Sequence, residues 1–178
     1  MELPLVNRTC GPCNAYCVCY PLLPNEEFWP DGKRAYEPCK FLCESGCGIH
    51  DRPRPPVCTD YECAYIRGIV PHRPSECGVI FSCIRVHDLF LGQPPLQFPP
   101  DDCGIQVVET CPEAVLRLPS RQVRYWFRRI PWCVAFVQPY GVDVHRRPLC
   151  FRGHRDVAVP WEDDPAYADK VIAWWLTN

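Results

Sequence analysis

Ten side chains before residue 64 carry the most legible chemistry in this sequence: Cys10, Cys13, Cys17, Cys19, Cys39, Cys43, Cys47, His50, Cys58 and Cys63. Thiolate sulfur and imidazole nitrogen are the donors zinc prefers, four at a time around a tetrahedron. Cys10-Gly-Pro-Cys13 has the spacing that turns two sulfurs toward one ion. Cys17 and Cys19 follow closely, but alternate residues of extended backbone point to opposite sides, so the two are not expected to share a site. In Cys39-x3-Cys43-x3-Cys47-x2-His50, a helical backbone would stack the thiols on one face, with Gly46 and Gly48 letting the chain turn to bring His50 in. Cys58-x4-Cys63 supplies a further pair. Two zinc sites drawn from residues 10–63 would use eight of these ten ligands, in a grouping the spacing leaves open.

Other chemistries fit less well. The CxxC form also occurs in dithiol oxidoreductases, which place it between a strand and an opening helix. Tyr16-Cys-Val-Cys-Tyr-Pro is a poor helix start, so redox catalysis is not expected. No GxSxG, HExxH or phosphate-cradling glycine loop is present, and no local pattern pairs one thiol with one of the five histidines as a nucleophile. The sequence therefore reads as an adaptor or interaction protein and not as an enzyme. Arg121-Gln-Val-Arg-Tyr-Trp-Phe-Arg-Arg129 interleaves arginine with aromatics. Read as a strand, it places Arg124, Trp126 and Arg128 on an outer face, and with Arg129 these make a candidate protein-binding surface. The net charge of −2 argues against nucleic acid, which is gathered by a basic field.

The chain has 178 residues, including 15 cysteines and 22 prolines, with 47% apolar and 22% charged residues. A chain of that length can bury about 70% of the surface it would expose unfolded, so the cysteines are not compensating for a small core. No apolar run approaches the ~20 residues of a membrane span. The start Met-Glu-Leu-Pro-Leu-Val lacks a basic segment followed by an apolar one, so a cytosolic or nuclear location is expected. Reducing surroundings leave thiols available to metal. The competing expectation is a secreted, disulfide-rich effector or binding protein, for which the sequon Asn7-Arg8-Thr9 speaks.

Residues 1–60, cysteine-rich and punctuated by Gly11-Pro12, Asp31-Gly32 and Pro53-Arg54-Pro55-Pro56, read as a loop-rich, zinc-stabilised module. Residues 61–178 read as a β-rich domain with a C-terminal helix, making the whole an α+β fold built on a mostly antiparallel sheet. Strands are expected at 65–70, 78–86, 105–110, 123–130, 132–138 and 156–159 from their β-branched and aromatic content. Residues 92–102 are too rich in proline for regular structure and read as a connection. Cys77, Cys83, Cys133 and Cys150 are expected to pack as small hydrophobes. Asp163 or Asp164 can cap a final helix opened by Pro165, whose Tyr167, Val171, Ile172, Trp175 and Leu176 make one apolar face.

Three short motifs occur in an order that resembles the adenovirus early-region-four 34K protein family. They are Tyr65-Ile-Arg-Gly-Ile69 with Cys77-x-Val-x-Phe81, Trp126-Phe-Arg-Arg-Ile130 with Phe136-x-Gln138, and Phe151-Arg-Gly-His154. The resemblance implies a zinc-binding viral adaptor of the host nucleus and cytoplasm. It also implies that elongins B and C, a cullin and a second viral early protein are partners, with the chain acting as substrate receptor of a ubiquitin ligase.

Overall fold

The computed structural model describes residues 8, 13–25, 27–59, 61–85, 103–127, 134–142, 149–152, 156–159 and 164–177. It is an α+β fold. A short helix α1 (Ala15–Cys19) is followed by a two-stranded hairpin, β1 (Leu42–Cys43) and β2 (Gly46–Cys47). Two single-turn helices come next, α2 (Pro56–Thr59) and α3 (Pro74–Cys77). A five-stranded sheet then runs in chain order: β3 (Val79–Arg85), β4 (Cys103–Glu109), β5 (Val134–Gln138), β6 (Leu149–Arg152) and β7 (Asp156–Val159). The β4–β5 pair is parallel and the other three are antiparallel. The connection between β4 and β5 holds a 3₁₀ turn (Val115–Arg117) and helix α4 (Ser120–Phe127); helix α5 (Pro165–Leu176) closes the chain.

Both faces of β3 and β4 are covered, which explains their nearly continuous apolar character. Val79 and Phe81, with Ile105, Val107, Ala135 and Val137, face a core completed by Val115, Val123 and Trp126, and by Tyr167, Val171 and Trp175 of α5. The alternate residues Ile80 and Val108 face the other way, against Ala15, Cys19 and Cys63. The sheet is thus a middle layer between two helices and the cysteine-rich module.

Local chemistry fixes the ends of these elements. The Asp164 carboxylate accepts the Tyr167 amide at 3.0 Å, and Pro165 occupies the first turn of α5 as its sequence requires. At the other end, Ser120 and Arg124 of α4 donate to the Thr177 carbonyl at 3.0 and 2.7 Å. Arg124 also donates to the Trp175 carbonyl, so α4 caps α5. Gly78 ends α3 in the left-handed region (φ 74°), where an added Cβ would meet Ala114 Cβ and Cys111 Sγ at 3.0 Å.

Several expectations are corrected. Residues 123–127 are not in a strand, because Ser120–Phe127 is helical and period 3.6 turns Val123 and Trp126 into the core while Tyr125 stays exposed; residues 128–130 lie outside the described residues. Residues 65–70 form turns, since Gly68 adopts φ 73° and the Ile69 amide returns to the Ala64 carbonyl at 2.8 Å. Cys39, Cys43 and Cys47 do not share a helix face: Gly46, at φ 112°, closes a hairpin that puts Cys43 opposite Gly46 and Leu42 opposite Cys47. Residues 15–19, unpromising as a helix start, form one helical turn. The strands at 78–86, 105–110, 132–138 and 156–159 are found at Val79–Arg85, Cys103–Glu109, Val134–Gln138 and Asp156–Val159, and β6 was not anticipated. The proline-rich segment 92–102 and the Asn7 and Thr9 positions of the sequon lie outside the described residues. Among the described residues, no helix is long and apolar enough to cross a membrane.

Trp175 is wholly buried, and Trp175→Ala is expected to lower stability by about 3–5 kcal/mol, read as a shift in the urea unfolding midpoint. Gly78→Ala should cost more than about 1 kcal/mol in the same assay, because a side chain there is both strained and crowded.

Candidate functional site

The cysteine module is fastened to the sheet by a polar seam. On the module-facing side of β3 and β4, Ser82 and Gln106 lie opposite one another in the ladder and are almost wholly buried. Buried polar groups must be paired. Tyr20 supplies the pairing: its hydroxyl donates to Gln106 Oε1 at 2.8 Å and lies 3.2 Å from Ser82 Oγ. Tyr61 Oη stands 2.5 Å from the same Ser82 oxygen. Tyr16 stacks on Tyr61 with ring centroids 3.8 Å apart, and its hydroxyl reaches the Val57 carbonyl at 3.1 Å. At the end of the sheet, Tyr36 donates to the carbonyls of Glu109 and Pro139, tying β4 to β5. Burial pushes the phenols of Tyr16, Tyr36 and Tyr61 upward and that of Tyr20 up to about 12.

That seam fixes where α1 presents its thiols. Residues two apart on a helix face nearly opposite ways. Cys19 turns into the apolar layer beside Ile80 and Val108, where burial pushes its thiol up to about 12. Cys17 is half-buried on the opposite side, and its carbonyl accepts the Cys39 amide at 3.0 Å. Cys47 and Cys58 are also half-buried. Burial raises the Cys58 thiol, and the thiol charges of Cys39 and Cys47 raise it further, against the opposing effect of Arg54. Cys13 packs at the rim of the layer that buries Cys19 and Cys63. Cys43 is exposed, with Sγ 3.3 Å from Ser45 Oγ and 3.2 Å from the Gly46 carbonyl; hydrogen bonding from the Ser45 side chain first, and from the backbone of Ser45 and Gly46, lowers its pKa. His50 is exposed beside Asp51, with Nδ1 to Oδ1 at 3.2 Å. Cys10 lies outside the described residues. Among the described residues, no three of His, Cys, Asp and Glu stand close enough together to hold a metal ion.

Lys33 sits against this group. Only 8% exposed, its ammonium donates to the carbonyls of Val18 and Arg34 at 3.0 Å and of Glu37 at 2.6 Å. Desolvation lowers its pKa, and the charges of Cys39, Glu37, Cys19 and Cys17 act in the opposite direction. Sequence reasoning missed Lys33, because a lone lysine in a loop carries no signal of burial.

The candidate partner-binding residues are placed differently from the strand reading. Trp126 is 7% exposed and meets Phe81 edge-on at 6.0 Å and His72 at 5.7 Å. Arg124 caps α5. Arg128 and Arg129 lie outside the described residues. A cleft of about 240 Å³ opens beside Trp126, lined also by Arg8, Gly68, Ile69, Pro71 and the exposed Tyr125. Arg8 closes one side, donating to the carbonyls of Tyr65 at 3.1 Å and Val70 at 2.7 Å with its guanidinium 4.7 Å from the Tyr65 ring.

Comparison with known proteins returned no matching family model, no matching curated protein and no matching solved structure.

Removing the seam hydroxyl in Tyr20→Phe strands Gln106 Oε1 and is expected to cost about 1–3 kcal/mol in urea unfolding. Cys19 and Tyr20 hold their protons more tightly folded than unfolded. Their contribution is therefore complete below the ordinary thiol value of 9.0 and is lost as pH rises toward about 12. Lys33, with a lowered pKa, works in the opposite sense. Thermal midpoints should fall across that alkaline window, and the part of the tyrosinate absorbance that comes from the buried phenols should appear together with unfolding.

Proposed function

We propose that this protein is a zinc-stabilised adaptor, in which metal cross-links the loop-rich module of residues 10–63 and the assembled surface binds host proteins. The observation that supports the reading is that Cys13, Cys17, Cys39, Cys47 and Cys58 are half-buried and not packed away in the core, in a module with little regular structure of its own. Zinc bound there supplies a covalent-strength cross-link between loops, and thiolates are donors it accepts four at a time. The nucleophile needed for an enzyme reading has no favoured candidate. Cys19 and Cys63 are buried with raised pKa values, which suits packing and not attack.

The resemblance to the early-region-four 34K family supports a more specific version: a viral adaptor of the host nucleus and cytoplasm that recruits elongins B and C and a cullin, together with a second viral early protein. Residues from its separate motifs, Tyr65, Phe81 and Trp126, belong to one apolar cluster. The resemblance therefore bears on fold first and on partners second. The cleft between Arg8, Tyr125 and Trp126 is the partner-binding surface this reading favours.

Metal analysis of the full chain purified under reducing conditions should find stoichiometric zinc, and a chelator should unfold the module. A folded, metal-free chain whose gel mobility shifts on reduction would overturn the zinc reading in favour of a disulfide-rich secreted protein. Affinity capture from host cells should recover elongins and a cullin. Recovery of an unrelated host complex would leave the adaptor reading and remove the ligase mechanism.

A further inference from the structure

Resting on the adaptor reading above, we infer that the cleft beside Trp126 takes an acidic peptide segment of a partner protein, with a carboxylate on Arg8 and an apolar or aromatic side chain in the cleft. Arg8 is held in place before any partner arrives. Its Nη1 donates to the Tyr65 carbonyl at 3.1 Å and to the Val70 carbonyl at 2.7 Å, and its guanidinium lies over the Tyr65 ring, 4.7 Å from the centroid. Two acceptors and a ring together fix the plane of the fork. A guanidinium has five N–H donors. Those on Nε and Nη2 meet no acceptor among the described residues. That edge is the one that grips a carboxylate through two parallel hydrogen bonds.

A second guanidinium stands at the same ring. Arg73 lies 5.4 Å from the Tyr65 centroid with Nη2 3.4 Å from the Tyr65 hydroxyl, and its Nε is buried with no hydrogen-bond partner among the described residues. Both arginines are half-buried, and neither guanidinium has a carboxylate within ion-pair distance among the described residues. Acids on the neighbouring segments are committed: Glu62 pairs with Arg67 at 3.3 Å, and Glu76 accepts the Arg73 backbone amide at 3.2 Å. Partly desolvated cations that lack a countercharge are stabilised by an incoming anion. Arg121, exposed one helical turn before Tyr125, adds a further cation on the same face of α4.

The shape of the cleft selects a peptide. At about 240 Å³ it falls below the roughly 300–1,000 Å³ of pockets that enclose small-molecule ligands, and suits one anchoring side chain. Ile69, Pro71, Tyr125 and Trp126 give it apolar and aromatic walls, the surroundings in which such an anchor sheds water. Nucleic acid is gathered by a basic field, which a net charge of −2 does not supply.

The test is selection of a random decapeptide library on the full chain, followed by fluorescence polarisation of the selected peptides. They should be rich in Asp and Glu around one aromatic or leucine position. Changing their acids to Asn and Gln should weaken binding about tenfold or more, and so should Arg8→Gln, as for loss of a hydrogen bond between charged groups. Arg8→Lys keeps the charge and loses the fork, so its affinity should fall between wild type and Arg8→Gln. Tyr125→Ser changes an exposed side chain that the fold does not need, and should weaken the same peptides, whereas Arg52→Gln should not. Selected peptides without acids, or acidic ones that bind either Arg8→Gln or Tyr125→Ser as tightly as wild type, would overturn the inference. So would a selection that yields no binder, with or without binding of an oligothymidylate. Those results leave the adaptor reading to the capture from host cells; capture of no host protein, alongside tight acidic-peptide binding, would remove the adaptor reading and keep the specificity of the cleft.

Discussion

Ser82 and Gln106 place two polar side chains in the middle of a sheet face that another layer covers, and the rest of the arrangement depends on satisfying them. An unpaired buried polar group costs about 1–3 kcal/mol, and here the only suppliers on the covering layer are the hydroxyls of Tyr20 and Tyr61 among the described contacts. Tyr20 directly follows α1 and Tyr61 precedes the turn at residues 64–70. Meeting the seam therefore fixes both ends of the cysteine module against the sheet. An apolar sheet face would hold a covering layer equally tightly but in many registers, whereas two hydroxyls aimed at two acceptors admit one.

Fixing α1 sorts its thiols. With Tyr20 committed to the sheet, the single helical turn before it directs Cys19 inward and leaves Cys17 facing the loops. The same commitment carries Tyr16 onto Tyr61 and toward Val57, which brings the α2 segment alongside. Lys33 then occupies the space under these loops, held by three carbonyls. Sheet chemistry and thiol chemistry are linked through one short helix.

The legible parts of the sequence were those where one period or one cap decides the outcome. Pro165 after Asp164, with apolar residues at helical spacing, defines α5 with little ambiguity, and the β-branched runs of β3, β4, β5 and β7 have no competing pattern. Arg121 to Arg129 satisfies both periods, because Val123, Tyr125 and Phe127 alternate while Val123 and Trp126 fall three apart. The helical form of Ser120–Phe127 brings Ser120 and Arg124, four residues apart, onto one face against the carbonyls of Trp175 and Thr177. That contact is 51 residues or more distant in sequence, beyond any local reading. The thiols could be named from the sequence, but the local backbone that carries them could not. Spacing of four suggested a helix through Cys39, Cys43 and Cys47, and the left-handed Gly46 made a hairpin instead.

The burial of Trp126 removes the outer face that a strand would have offered. A strand would have offered Arg124, Trp126 and Arg128 as one outer face; the helix spends Arg124 on capping and nearly all of Trp126 on the core. What remains at that end is the exposed ring of Tyr125 over a cleft walled by Arg8 and the turn at Gly68. An aromatic ring beside a concave, partly apolar surface is the composition found at the centre of protein interfaces, where tyrosine and arginine are enriched. Arg8 belongs to the cysteine-rich half of the chain and Tyr125 to the sheet half. Both walls of the cleft are therefore set by the seam that holds the two halves together.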